Sequence, residues 1–162
     1  MSKINELCKI HINGRLKIVD GDGVVLLDKQ NLILRGAKTI MANALTGSPS
    51  ADRKAYMSFG TDDTAPLVTD VRLGTQVHQI GCGYEDSTPP YFVDYTETDE
   101  TTTSMATVVF SGVVASSVEI DIKEAGLFSI KEYLFSRIVF DEISKSAGTA
   151  WLVTWTLEMS LT

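Results

Sequence analysis

The chain of 162 residues holds only two cysteines, two histidines and four prolines, and it has no long hydrophobic run. Each scarcity closes a class of function. Cys8 and Cys82 stand in neither a Cys-x-x-Cys nor a metal-ligand spacing, so both are expected as free, packed thiols. Unbroken apolar runs such as Val24-Val25-Leu26-Leu27 fall far short of the ~20 residues a membrane-spanning helix needs. The opening residues MSKINELCKIHING lack the apolar middle of a signal peptide. Positive charge is scarce too: 14 basic against 21 acidic residues give a net charge of -7, with no basic run to override it. Such a chain repels nucleic acid and anionic membranes. The expectation is a protein made and kept in a cytoplasm, binding neither nucleic acid nor membrane.

Catalytic signatures are equally thin. There is no Gly-x-Ser-x-Gly, no glycine-rich phosphate loop and no His-Glu-x-x-His, and His11 and His78 are the only imidazoles. The run His78-Gln-Ile-Gly-Cys82 sets a base four residues from a nucleophile, but a packed thiol beside a surface imidazole explains it more simply. Asp20-Gly21-Asp22-Gly23 resembles the start of a calcium loop, yet the twelfth position, where a glutamate is needed, holds Asn31. These residues tolerate positive φ and read as a hairpin turn. Asp62, Asp63 and Asp70 are expected as solvated loop carboxylates. No enzyme activity, cofactor or metal is expected.

What the chain does have is strand pattern. At 44% hydrophobic and 22% charged it is an ordinary globular composition, sized for a single domain over residues 1–162. The text around Asp20 to Gly23 reads as a β-hairpin, and AYMSFG as a short strand ending at Gly60. MATVVFSGVV, VEIDIKEAGLF, YLFSRIVF and AWLVTWTLEMSLT are four further strands, expected to run as an antiparallel meander or Greek key. In the last, Trp151, Val153, Trp155, Leu157, Met159 and Leu161 alternate with outward residues, so the tryptophans belong to the core. At ~3.3 Å per residue it is long for a strand, and part of it is expected against another chain. One segment has the helical period: Ala37, Ile40, Met41, Ala44 and Leu45 form a stripe that Gly47 ends, a helix over about residues 36–46. The fold class is mainly β, an antiparallel sandwich or jelly-roll-like barrel with that one short helix. Residues 82–104, rich in threonine, acid and proline, read as a long polar loop. Its aromatics Tyr84, Tyr91, Phe92 and Tyr95 are candidate contacts with a partner, or stacking platforms for a sugar.

One acid breaks the pattern. Val118, Ile120 and Ile122 alternate with Glu119, Asp121 and Lys123, which places Glu124 on the apolar face. Folding residues 124–140 as a hairpin with Ser129 to Glu132 as its loop sets Glu124 opposite Arg137, about 5 Å away at Cβ. A structural ion pair is the expectation, with Arg15 and Arg72 as other conceivable partners for the carboxylate.

The order of NLILRGAKTIMANALTG, YMSFGTDDTAPLVTDVRLG, EAGLF, LFSRIVFDEISKS and LVTWTLEMS resembles a group of small virion structural proteins of tailed bacteriophages, found among tail, baseplate, neck and fibre-attachment components. INGRLKIVDGDGVVLLDKQN fits the way many of them begin, so the resemblance spans nearly the whole chain. It implies a non-enzymatic subunit assembled in the host cytoplasm into the particle, a homo-oligomer that docks on other virion proteins in the tail, neck, collar or baseplate and attaches fibres. The alternatives are a capsid decoration or head-fibre protein and a carbohydrate-binding host-attachment module. A hydrolase built on Glu124 or Cys82 is the remotest.

Overall fold

The computed structural model describes residues 10–45, 55–82, 92–100, 103–129 and 132–161, with 42–45, 82, 92–100, 103–106 and 161 as backbone only. Nine strands and one helix follow in chain order: β1 (Ile10–Val19), β2 (Val25–Ile33), α1 (Gly36–Leu45), β3 (Ala55–Gly60), β4 (Gln76–Cys82), β5 (Phe92–Glu100), β6 (Thr103–Val114), β7 (Ile120–Ser129), β8 (Leu134–Lys145) and β9 (Trp151–Leu161). All pairings are antiparallel and the sheet order is β4-β3-β7-β8-β2-β1-β9-β6-β5. The sheet curls until β4 packs beside β6, where a Cβ on Gly112 would press on Ile80 and the Gly81 carbonyl. Eight strands thus make a nearly closed barrel, and β5 extends it along β6.

Alternation decides which side chains fill the interior. Leu16 and Ile18 of β1, Met57 and Phe59 of β3, Val114 of β6 and Trp151, Val153 and Trp155 of β9 meet in one apolar core. Both tryptophans are buried, as their spacing predicts. The indole Nε1 of Trp155 finds no hydrogen-bond partner among the described residues.

Hairpin and crossover alternate. The β1–β2 turn closes through Asp20 N to Val24 O (3.0 Å) and Gly23 N to Asp20 O (3.1 Å), while the Asp20 carboxylate accepts from the amides of Asp22 and Val24. Gly23 sits at φ 84°, the left-handed region that favours glycine. The turn forms as expected from Asp20 to Gly23.

The last four strands are antiparallel but not a meander. Of the consecutive pairs among them, β7 and β8 alone are neighbours; β9 inserts between β1 and β6, so the β6–β7 and β8–β9 connections cross between halves of the barrel. Gly148 N donates to Ser116 O (2.9 Å), tying one crossover to the other. Every residue of β9 from Leu152 to Ser160 pairs with both β1 and β6, so both backbone edges of the strand are used inside the chain.

The helix spans Gly36–Leu45 and packs on β8, in keeping with its stripe. The segment expected as a loop over 82–104 instead contains β5, whose nine residues pair with Thr103–Ser111. Threonine and aromatics there favour a strand more than the acids oppose it. Among the candidate contact residues, Phe92 and Tyr95 lie on this strand; Tyr84 and Tyr91 lie outside the described residues.

Candidate functional site

The hairpin β7–β8 carries the one cluster of buried acid and base among the described residues. Glu124 is 0% and Arg137 4% exposed. Their contact is close: Arg137 Nη2 lies 2.8 Å and Nε 3.0 Å from Glu124 Oε2. The two residues are not directly opposed, as the simple hairpin predicts. The turn sets Phe128 opposite Leu134 rather than Tyr133, and an irregularity between Leu127 and Phe128 shifts the register once more, so Gly126 faces Arg137 and Glu124 faces Val139. The guanidinium spans the diagonal offset because its stem is long.

Arg137 collects two more acids. Nη1 donates to Asp70 (2.7 Å) and Nη2 to Asp62 (3.1 Å). Both come from the β3–β4 connection, residues 61–75, and neither is the solvated carboxylate expected; each is held on the guanidinium. Asp63, by contrast, is exposed and reaches only Lys123, at 4.0 Å.

The same connection closes over Glu124 from its backbone. Oε1 accepts from Thr75 N (2.9 Å) and Asp62 N (3.4 Å), and Oε2 from Gly74 N (3.2 Å). Such converging amides form an anion-binding nest, and here its anion is the chain's own carboxylate. Two glycines permit the approach. A Cβ on Gly60 would strike Glu124 Oε1 and the Thr75 carbonyl, and one on Gly74 would strike the Asp62 carboxylate.

Charge balance follows from these contacts. Burial by itself would lower the Arg137 pKa, but hydrogen bonds and charges of Asp70 and Glu124 outweigh it and hold the guanidinium above its ordinary value. The hydroxyl and amide of Thr64, then Arg137, hold the Asp62 carboxyl below its usual range despite the opposing desolvation. One cation facing three acids leaves the cluster net negative, offset by the amide dipoles on Glu124.

The chemistry this arrangement supports is positioning. A general acid or base needs a face open to substrate, whereas both oxygens of Glu124 already accept hydrogen bonds inside the fold. Among the described residues no three His, Cys, Asp or Glu side chains are grouped so as to hold a metal ion. His78 is half-buried and stacks on Phe59 (centroids 6.5 Å apart), and burial followed by the charge of Lys145 pushes its pKa down. Cys82 ends β4, opposite Ala55, with its side chain outside the described set.

On its outer side the same connection is apolar. Leu67, Val68 and Val71 are 62%, 55% and 74% exposed. Leu67 N donates to Asp70 Oδ2 (2.9 Å) and Arg35 N to Val68 O (2.9 Å), so the segment is fixed between Arg137 and the start of α1. The sequence singled out Glu124 and Arg137; it missed Asp62 and Asp70, whose only signal was the presence of three loop acids near a strand bearing an unexplained arginine.

No helix among the described residues is long and apolar enough to cross a membrane. The chain matches no protein-family model, no curated protein and no solved structure.

Proposed function

We propose that this protein is a non-enzymatic structural subunit of a tailed-bacteriophage particle, a β-barrel module of the tail, neck or baseplate that docks on neighbouring virion proteins and supports fibre attachment. The observation that carries the proposal is the connection 61–75. Its inner side is fastened to the buried Glu124–Arg137 pair, and its outer side presents Leu67, Val68 and Val71 to solvent. Fixing an exposed apolar segment on a rigid support lowers the ordering cost of docking. The cluster therefore serves assembly. The resemblance in sequence order across nearly the whole chain supplies the kind of particle, and the acidic surface favours partners other than nucleic acid.

Peptide mass spectrometry of purified virions, with a cryo-electron map of the same particles, tests the proposal. The chain is expected in stoichiometric amount at a tail, neck or baseplate position. Its absence from purified particles overturns the role, and density on the capsid shell identifies a decoration or head-fibre protein instead.

A further inference from the structure

At the start of β1, a groove of about 580 Å³ opens between the sheet and α1. Ile10, Ile12, Ala37 and Met41 contribute its apolar surface, Val68 a wall, and Arg35 and Lys38 two exposed cations at its rim. None of the nine residues that line it is acidic, in a chain of net charge -7. The groove thus inverts the charge of the molecule as a whole. Its volume is in the range of about 300–1,000 Å³ that encloses a small ligand or a few side chains.

The other end of the same hairpin carries the complement. Val24, Val25 and Leu152 are 55%, 49% and 46% exposed. Val19 pairs with both Val25 and Leu152, so these two adjoin across three strands, and Val24 precedes Val25 in the turn. Asp20 and Asp22 flank them in the turn, and the hydrogen bonds to the Asp20 carboxylate hold that tip in one shape. Ten residues of β1 separate the two ends, about 30 Å at ~3.3 Å per residue.

We infer that the partner of this groove is a second copy of the chain, bound head to tail, with the Val24–Val25 tip of one copy seated in the Ile10–Met41 groove of the next. Charge selects this contact over the two that set a surface against its own image. Groove against groove would bring Arg35 and Lys38 onto their own images, and tip against tip would do the same to Asp20 and Asp22. Only tip in groove sets two acids against two cations around an apolar centre, which is how protein interfaces divide core from rim. A contact between different surfaces of identical chains repeats, giving a ring when the rotation closes and a filament when it does not. Its place in a particle rests on the function proposed above; the association itself is a property of the purified chain.

Sedimentation velocity of the full chain over a concentration series tests it. Wild-type protein is expected to form species of two and more copies that shrink as salt rises. Asp22→Lys and Lys38→Asp, both exposed positions, should each raise the concentration needed for assembly by about tenfold or more while leaving the circular dichroism spectrum unchanged. Mixing the two variants should restore association, because the lysine introduced at one tip then meets the aspartate introduced at the other variant's groove, and the unaltered tip meets the unaltered groove. A wild-type chain that stays monomeric throughout, or variants that assemble like wild type, would overturn the inference. None of these outcomes bears on whether the chain is found in virions, so the two proposals fail separately.

Discussion

Two cations are buried among the described residues, and they are handled in opposite ways. Arg137, 4% exposed, is surrounded by the carboxylates of Glu124, Asp62 and Asp70. Lys145, 3% exposed, donates to the carbonyls of Val118 (2.8 Å) and Ser146 (3.3 Å) and lies 5.9 Å from the centre of the Trp151 ring. The guanidinium has five donors in a rigid fork and suits several acids at once; the ammonium is a point charge that suits carbonyl oxygens and an aromatic face. Arg137 fastens a long connection to the barrel wall, whereas Lys145 ties the two crossovers that end beside it. The difference teaches that each buried charge holds a segment that hydrophobic packing alone does not hold.

Removing the guanidinium is the most severe way to break the contrast. Arg137→Ala leaves Glu124 buried without its counter-ion and is expected to cost about 3–5 kcal/mol in urea unfolding. Hydrogen exchange should quicken over residues 61–75 and leave the crossovers unchanged; equal loosening of both regions would show that the two cations do not act separately. Glu124→Ala should lower the melting temperature and impair assembly, and Glu124→Gln, which turns a donor either toward the amides of Thr75 and Asp62 or toward the Gly74 amide and the guanidinium, should cost about 2–3 kcal/mol. A variant at Glu124 that melts and assembles like wild type would refute the positioning role. Combining Glu124→Gln with Arg137→Met should cost less than the sum of the two, with a coupling of about 2 kcal/mol, because each loss makes the other less damaging.

At the second cation the effect is smaller. Lys145→Met keeps the stem over Trp151 and leaves two carbonyls without their donor, for an expected loss of about 1–2 kcal/mol and faster exchange confined to residues 115–119 and 146–150. Smallest is the pH response near neutrality. His78 has a folded pKa below 6.5, so the unfolded chain takes up its proton first. Stability should be level above about pH 6.5 and fall gently below it, and His78→Gln should remove that step. Asp62 has a folded pKa below 3.8, so its contribution is present above that value and is lost only as pH falls through the lower one. An acid titration monitored by fluorescence separates the two steps.

Much of this was legible in the sequence because period-two alternation, turn glycines and one helical stripe are local signals. Trp151, Val153 and Trp155 announce the buried face of β9, Asp20 to Gly23 the turn, and Ala37, Ile40 and Met41 the helix. Glu124 stood out as an acid on an apolar face, and Arg137 as its partner. The register was not legible, because the irregularity between Leu127 and Phe128 moves every pair beyond it and leaves no mark in the period-two pattern. Strand order was hidden for a related reason: β9 joins β1 across nearly the whole chain, and no local pattern encodes that. Asp62 and Asp70 look like any loop acids until the fold brings Arg137 beneath them. The strand β5 was obscured by acids at Asp94, Glu97, Asp99 and Glu100, which lower the hydropathy without forbidding an edge position.

The insertion of β9 between β1 and β6 sets an order of events during synthesis. Until that strand has left the ribosome, the early hairpin and the β5–β6 ribbon have nothing to bridge them, and each shows an unpaired margin to the crowded interior of the cell. Closure of the barrel is therefore a late step governed by distant segments finding one another, slow by the standard of helical domains. Chaperone dependence should concentrate in that interval, and a nascent chain halted before Trp151 should remain open to protease along both margins.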